Sequence, residues 1–210
     1  MADTRTPLLG MALLFVALFA SLGARADCEC IWGGPFTRVQ ADTDLVVSAT
    51  VTTMRGNSID LEVQQVLRGE IYTEQVRVWL GQDSDELCRA DLGTFPLNSS
   101  WIMALDRIDE MAPGGFNPNT PNFSFGRVGD YSISRCGGYW LQRTENLVSG
   151  NLTGGARWDM NPKMSPVLLD LVAGFVAGDI DEDTLKEAGK VDPELQQLIL
   201  ETRLFLRRQR

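Results

Sequence analysis

Leu45-Val46-Val47-Ser48-Ala49-Thr50-Val51-Thr52-Thr53 is a β-branched run, and the turn Arg55-Gly56-Asn57-Ser58 separates it from Ile59-Asp60-Leu61-Glu62-Val63-Gln64-Gln65-Val66-Leu67. The second run begins with apolar residues alternating with polar ones, the period of a strand with one buried face. A turn rich in Gly, Asn and Ser between two such runs predicts a β-hairpin. Val76-Arg77-Val78-Trp79-Leu80 and Ser100-Trp101-Ile102-Met103-Ala104-Leu105 supply further strands, ended by Gly81 and by the charged Asp106-Arg107-Ile108-Asp109-Glu110. From Asp27 to about Arg143 the chain therefore reads as all-β with short strands. Pro113-Gly114-Gly115-Phe116-Asn117-Pro118-Asn119-Thr120-Pro121-Asn122 forbids a continued ladder and predicts a long surface loop.

On the N-terminal side, Arg5 precedes the apolar stretch Leu8 to Ala20, and Ala24-Arg25-Ala26 follows as an A-x-A site. This is the pattern of a secretory signal peptide cleaved after Ala26, too short in its apolar part to span a bilayer comfortably. The expected address is export to the periplasm or the extracellular medium, with no stable membrane insertion afterwards. Removing residues 1–26 takes away Asp3, Arg5 and Arg25, which leaves the mature chain more acidic than the precursor.

On the C-terminal side the texture changes near residue 160. Met164, Val167, Leu168, Leu171, Val172, Phe175 and Val176 recur at helical spacing, which predicts an amphipathic helix with Pro166 in its first turn. A short helix is expected from Asp181 to Ala188, and a third from Asp192 to a basic end at Arg207-Arg208-Gln209-Arg210. Asp179-Ile180-Asp181-Glu182-Asp183 resembles the start of a calcium loop, but Thr184 and Lys190 stand where the turn glycine and the bidentate Glu belong. A helix cap at Asp181 or Asp183 explains the run better. The organisation expected is a signal peptide over 1–26, a β domain over 27–160 and a helical segment over 161–210. Leu168, Leu171, Phe175, Leu195, Leu198, Ile199 and Phe205 are expected to be buried, against the β domain or a second subunit.

Composition narrows function. In 210 residues there are 28 acidic and 19 basic side chains, for a net charge of -9, and no histidine. Acidity disfavours nucleic acid, whose phosphates draw on clustered Lys and Arg. The missing histidine removes Ser-His and Cys-His catalysis and His-ligated metals. No CxxC and no phosphate-cradling glycine loop is present, so no cofactor, metal or catalytic residue is expected. Trp32, Trp79, Trp101, Trp140 and Trp158 could stack on sugars or bases, although aromatics of a small β domain are more often core. The chain is expected to bind a protein or cell-envelope component rather than to turn over a substrate.

Cys28, Cys30, Cys88 and Cys136 are even in number on an exported chain, so disulfides are the default and three pairings exist. A Cys28–Cys30 ring is strained, which favours long pairings. Each would contribute on the order of 4 to 5 kcal/mol in the chain-entropy account. The C-x-C pair Cys28-Glu29-Cys30, the β-branched strand about 15 residues on, the hairpin to Leu67 and single later cysteines resemble the netrin-like module of tissue inhibitors of metalloproteinases. The resemblance covers about residues 27 to 142. It implies an OB-type five-stranded barrel and the bridges Cys28 to Cys88 and Cys30 to Cys136. It also implies an alternative function, protease inhibition with Cys28 chelating the protease zinc and Glu29 entering its pocket. A second alternative is thiol–disulfide exchange by the C-x-C pair. The expected partner surface is Asp27 to Gly34 with the loop Pro113 to Asn122, and its candidate residues are Asp27, Glu29, Trp32 and Phe116.

Overall fold

The computed structural model describes residues 28–81, 87–110, 125–154, 166–190 and 193–208. Residues 1–27, with the expected cleavage site and Asp27, residues 111–124, with Phe116, and residues 155–165, with the expected boundary near residue 160, lie outside the described residues.

The expected hairpin forms as β1 (Leu45–Arg55) and β2 (Ser58–Arg68), antiparallel around a turn at Gly56. Register shifts at three points of β1 bend it, and β1 is long enough to pair with β2 along one edge and β4 (Ser100–Arg107) along the other. β3 (Gln75–Trp79) continues from β2, and the two-residue β5 (Tyr131–Ser132) runs parallel to β3 and antiparallel to β4. The order β1-β2-β3-β5-β4 thus returns to β1 and closes a five-stranded barrel of OB type, and the protein is mainly β. From β4 the sheet runs outward through β6 (Trp140–Thr144), β7 (Leu147–Gly150) and β8 (Val167–Leu168).

Two cores explain why the Leu45 run does not alternate cleanly. Leu45, Val47, Ala49 and Val51 point into the barrel with Ile59, Leu61, Val78, Met103, Leu105 and Phe95. Val46, on the opposite face, packs with Ile102, Ala104, Leu141 and Val148 under an outer layer of Phe36, Val167, Val172 and Leu185. Both faces of β1 are covered at its start, so apolar side chains are favoured at every position there. Phe36 belongs to the short helix α1 (Phe36–Val39).

The outer layer corrects part of the C-terminal reading. Val167 and Leu168 pair with Val148 and Leu147 as a strand, and α2 begins only at Leu169, running to Ala177. The free edge of β7 offers backbone partners that helical spacing alone does not reveal. Strand alternation then buries Val167 and turns Leu168 outward, to 48% exposure, instead of burying it. Leu171 and Phe175 do pack against the outer core. α3 (Glu182–Ala188) is capped as expected, with the Thr184 backbone N–H donating to Asp181 Oδ1 at 2.7 Å. In α4 (Pro193–Arg208), Leu198 and Phe205 are both 60% exposed, so the β domain does not cover them as one form of the expectation required. The Leu195 and Ile199 side chains lie outside the described residues. Among the described residues, no helix is long and apolar enough to cross a membrane.

Candidate functional site

Three segments distant in sequence come side by side at one end of the barrel: 28–34, 87–91 and 133–138. The Gly33 N–H donates to the Cys136 carbonyl at 2.6 Å and the Gly138 N–H to the Gly34 carbonyl at 2.9 Å. The Arg135 N–H donates to the Cys88 carbonyl at 2.8 Å, and the Ala90 N–H to the Ile133 carbonyl at 2.9 Å. Disulfides join Cys28 to Cys88 and Cys30 to Cys136, with Cα separations of 5.3 and 5.7 Å. Residues 28–34 have no regular secondary structure, and these bridges, the two glycine-mediated hydrogen bonds and a hydrogen bond from the Arg135 guanidinium to the Cys28 carbonyl at 3.0 Å help hold them to the barrel.

The four sulfur atoms lie within 4.8 Å of one another, a spacing that would suit a metal if they were thiolates. Paired as they are, none is free to ligate.

On this stapled segment Glu29 and Ile31 are exposed, Ile31 to 93%, and Trp32 to 38%. Trp32 stands between two clefts. The larger, about 660 Å³, is lined by Cys28, Glu29, Cys30, Ile31, Arg135 and Cys136 with Trp32. The smaller, about 210 Å³, lies between Trp32, Trp101, Trp140, Gln142, Ser149 and Asn151. Trp101 and Gln142 are cross-strand partners on β4 and β6, which places the smaller cleft where β6 extends the sheet outward from the barrel strand β4. Phe95 meets Trp101 and Trp140 edge to face at 5.2 and 5.5 Å, bracing both indoles from the core.

Of the residues expected in a partner surface, the structure brings Glu29 and Trp32 together; Asp27 and Phe116 are not described. The expectation of core tryptophans fits Trp79 and Trp101, at 6% and 8% exposure, and not Trp32; Trp158 lies outside the described residues. Ile31 falls within the expected segment Asp27 to Gly34 without being singled out, and Arg135 lies outside it. Ile31 had a signal, an apolar residue wedged between a C-x-C pair and Gly33-Gly34, whereas Arg135 had none beyond its place next to Cys136. A scan against protein-family models, a search of curated proteins and a search of solved structures each found no match.

Proposed function

We propose that the chain is an exported, disulfide-tied binding module of netrin-like type, without catalytic turnover, that captures a protein or cell-envelope component on its N-terminal segment. One observation carries this reading: Ile31 is almost wholly exposed on a segment that two disulfides and Arg135 hold in place. An isolated exposed apolar residue needs no explanation, but one fixed beside an exposed tryptophan and a 660 Å³ cleft is a preorganised contact surface. The absence of histidine from the sequence supports a non-catalytic role.

Protease inhibition is the weaker reading. It requires the Cys28 carbonyl to meet a zinc ion, yet the Arg135 guanidinium donates to that oxygen at 3.0 Å. A cation already placed there opposes a second one.

The experiment is capture from the native envelope by the mature protein and by an Ile31→Asp, Trp32→Ala variant. The variant should lose capture and keep its melting temperature, because both side chains are solvent-exposed. Retained capture would move the site elsewhere, and saturable hydrolysis or thiol exchange that survives purification would overturn the non-catalytic reading.

A further inference from the structure

We propose that the smaller cleft beside Trp32 is a subsite for one neutral saccharide ring, a hexopyranose or its N-acetylamino derivative. The proposal names a ligand class for the surface described above and rests on the binding-module reading.

A pyranose ring presents an apolar C–H face and a rim of hydroxyls, so its site needs a flat aromatic wall beside groups that both donate and accept hydrogen bonds. The cleft supplies indoles from Trp32, Trp101 and Trp140 together with Gln142, Ser149 and Asn151. Amides and hydroxyls are donor and acceptor at once. None of its described lining residues is acidic, and its cation, Arg135, already donates to the Cys28 carbonyl. Nothing there selects a charged ligand.

Size and competing chemistry narrow the choice. At about 210 Å³ the cleft is smaller than the ~300 Å³ of the smallest drug-sized pockets, which suits one ring rather than a long segment of polymer. A proline-rich peptide would use the indoles but leave the three amide and hydroxyl groups without partners, at a cost in affinity. A stacked nucleotide would need more phosphate contacts than Arg135 provides on a chain of net charge -9.

The walls are set before any ligand arrives. Trp101 Nε1 donates to Ser99 Oγ at 2.6 Å, and Phe95 braces Trp101 and Trp140. A Cβ on Gly138 would lie 2.8 Å from both the Asn151 carbonyl oxygen and the Phe36 nitrogen, so glycine lets this wall pack against the strand end that carries Asn151. Such a site loses little side-chain freedom on binding.

The test titrates the full mature chain with methyl β-glucopyranoside, methyl β-galactopyranoside and N-acetylglucosamine, with a decaproline peptide as the competing ligand. Saturation-transfer NMR and intrinsic tryptophan fluorescence are the readouts. At least one saccharide should bind saturably and shift the fluorescence. Its affinity should fall about tenfold in Gln142→Ala and by at least as much in Trp32→Ala, with circular dichroism unchanged. No saturable binding of any of the three sugars would overturn the proposal, as would equal affinity in both variants or saturable binding of decaproline alone. Capture by the Ile31→Asp, Trp32→Ala variant reports separately on the binding-module reading, which can stand when the sugars fail.

Discussion

Arg135 holds both halves of one disulfide: its Nη2 donates to the Cys28 carbonyl at 3.0 Å, and its backbone N–H donates to the Cys88 carbonyl at 2.8 Å. The residue next to Cys136 thus fastens the partners of the other bridge, and the two disulfides and the three chain segments they join act as one unit. Arg135→Met keeps the backbone bond and removes the charge-assisted one, worth about 1 kcal/mol at a partly exposed carbonyl. Amide hydrogen exchange over residues 29–33 should quicken, and the Cys28–Cys88 bridge should be reduced faster by a dithiol. Unchanged exchange and reduction would show that the bridges alone position the segment.

The turn after β2 provides a second check. Gly69 has φ +88°, and a Cβ there would lie 2.4 Å from the Asp44 carbonyl oxygen. Left-handed backbone disfavours any L side chain, and here the obstruction is main chain that cannot swing aside. The neighbouring Arg68 guanidinium also ties β2 to the Gln40 and Thr43 carbonyls. Gly69→Ala should therefore destabilise by about 2 kcal/mol or more, read from the urea midpoint. A midpoint unchanged from the parent would mean that the segment at Asp44 gives way freely.

The hairpin was legible in sequence because its signals are local: a β-branched run, period-two alternation and a Gly-Asn turn define β1 and β2 to within two residues. β5 and β8 were not, because two-residue strands exist only where a neighbouring edge supplies partners: β3 and β4 for Tyr131–Ser132, β7 for Val167–Leu168. The same contrast holds at the site. Glu29 and Trp32 were legible from their place around the C-x-C pair, whereas the smaller cleft needs Trp32 beside Trp140 and Gln142, more than 100 residues away in the chain. No periodicity spans that distance; closure of the barrel and the Cys30–Cys136 bridge create the meeting.

The C-terminal helices should separate by stability. Leu185 of α3 is fully buried in the outer core, whereas Leu198, Leu204 and Phe205 of α4 are more than half exposed. Leu185→Ala should cost about 2 to 5 kcal/mol through lost contacts and the cavity left behind. Truncation after Lys190 should change stability by no more than about 0.5 kcal/mol, since every described side chain it removes is exposed. Thermal unfolding of both variants decides it. A truncated chain as unstable as Leu185→Ala would mean that α4 shields apolar surface in solution.

Asp106 supplies a pH dependence whose sign can be worked out. Burial, and secondarily the charge of Asp44, push its carboxyl up to about 6 from an ordinary 3.8. The folded state therefore holds this proton more tightly than the unfolded chain does. The stabilisation from that proton is fully present below about pH 4 and is lost as the pH rises through 6. Above that range, folding must keep an ionised carboxylate where water is scarce. A displacement of this size would be worth roughly 3 kcal/mol in a dry site, but Asp106 is only half-buried, and screening by water reduces it to about 1 kcal/mol. Asp106→Asn should accordingly stabilise the fold by about 1 kcal/mol near pH 8, with the gain fading toward pH 4 where the parent carboxyl is already neutral in both states. Urea unfolding across that range makes the comparison, and Asp44→Asn should reproduce part of the gain by removing the second cause. A difference between Asp106→Asn and the parent that stays flat from pH 4 to pH 8 would show that Asp106 titrates like an ordinary exposed acid.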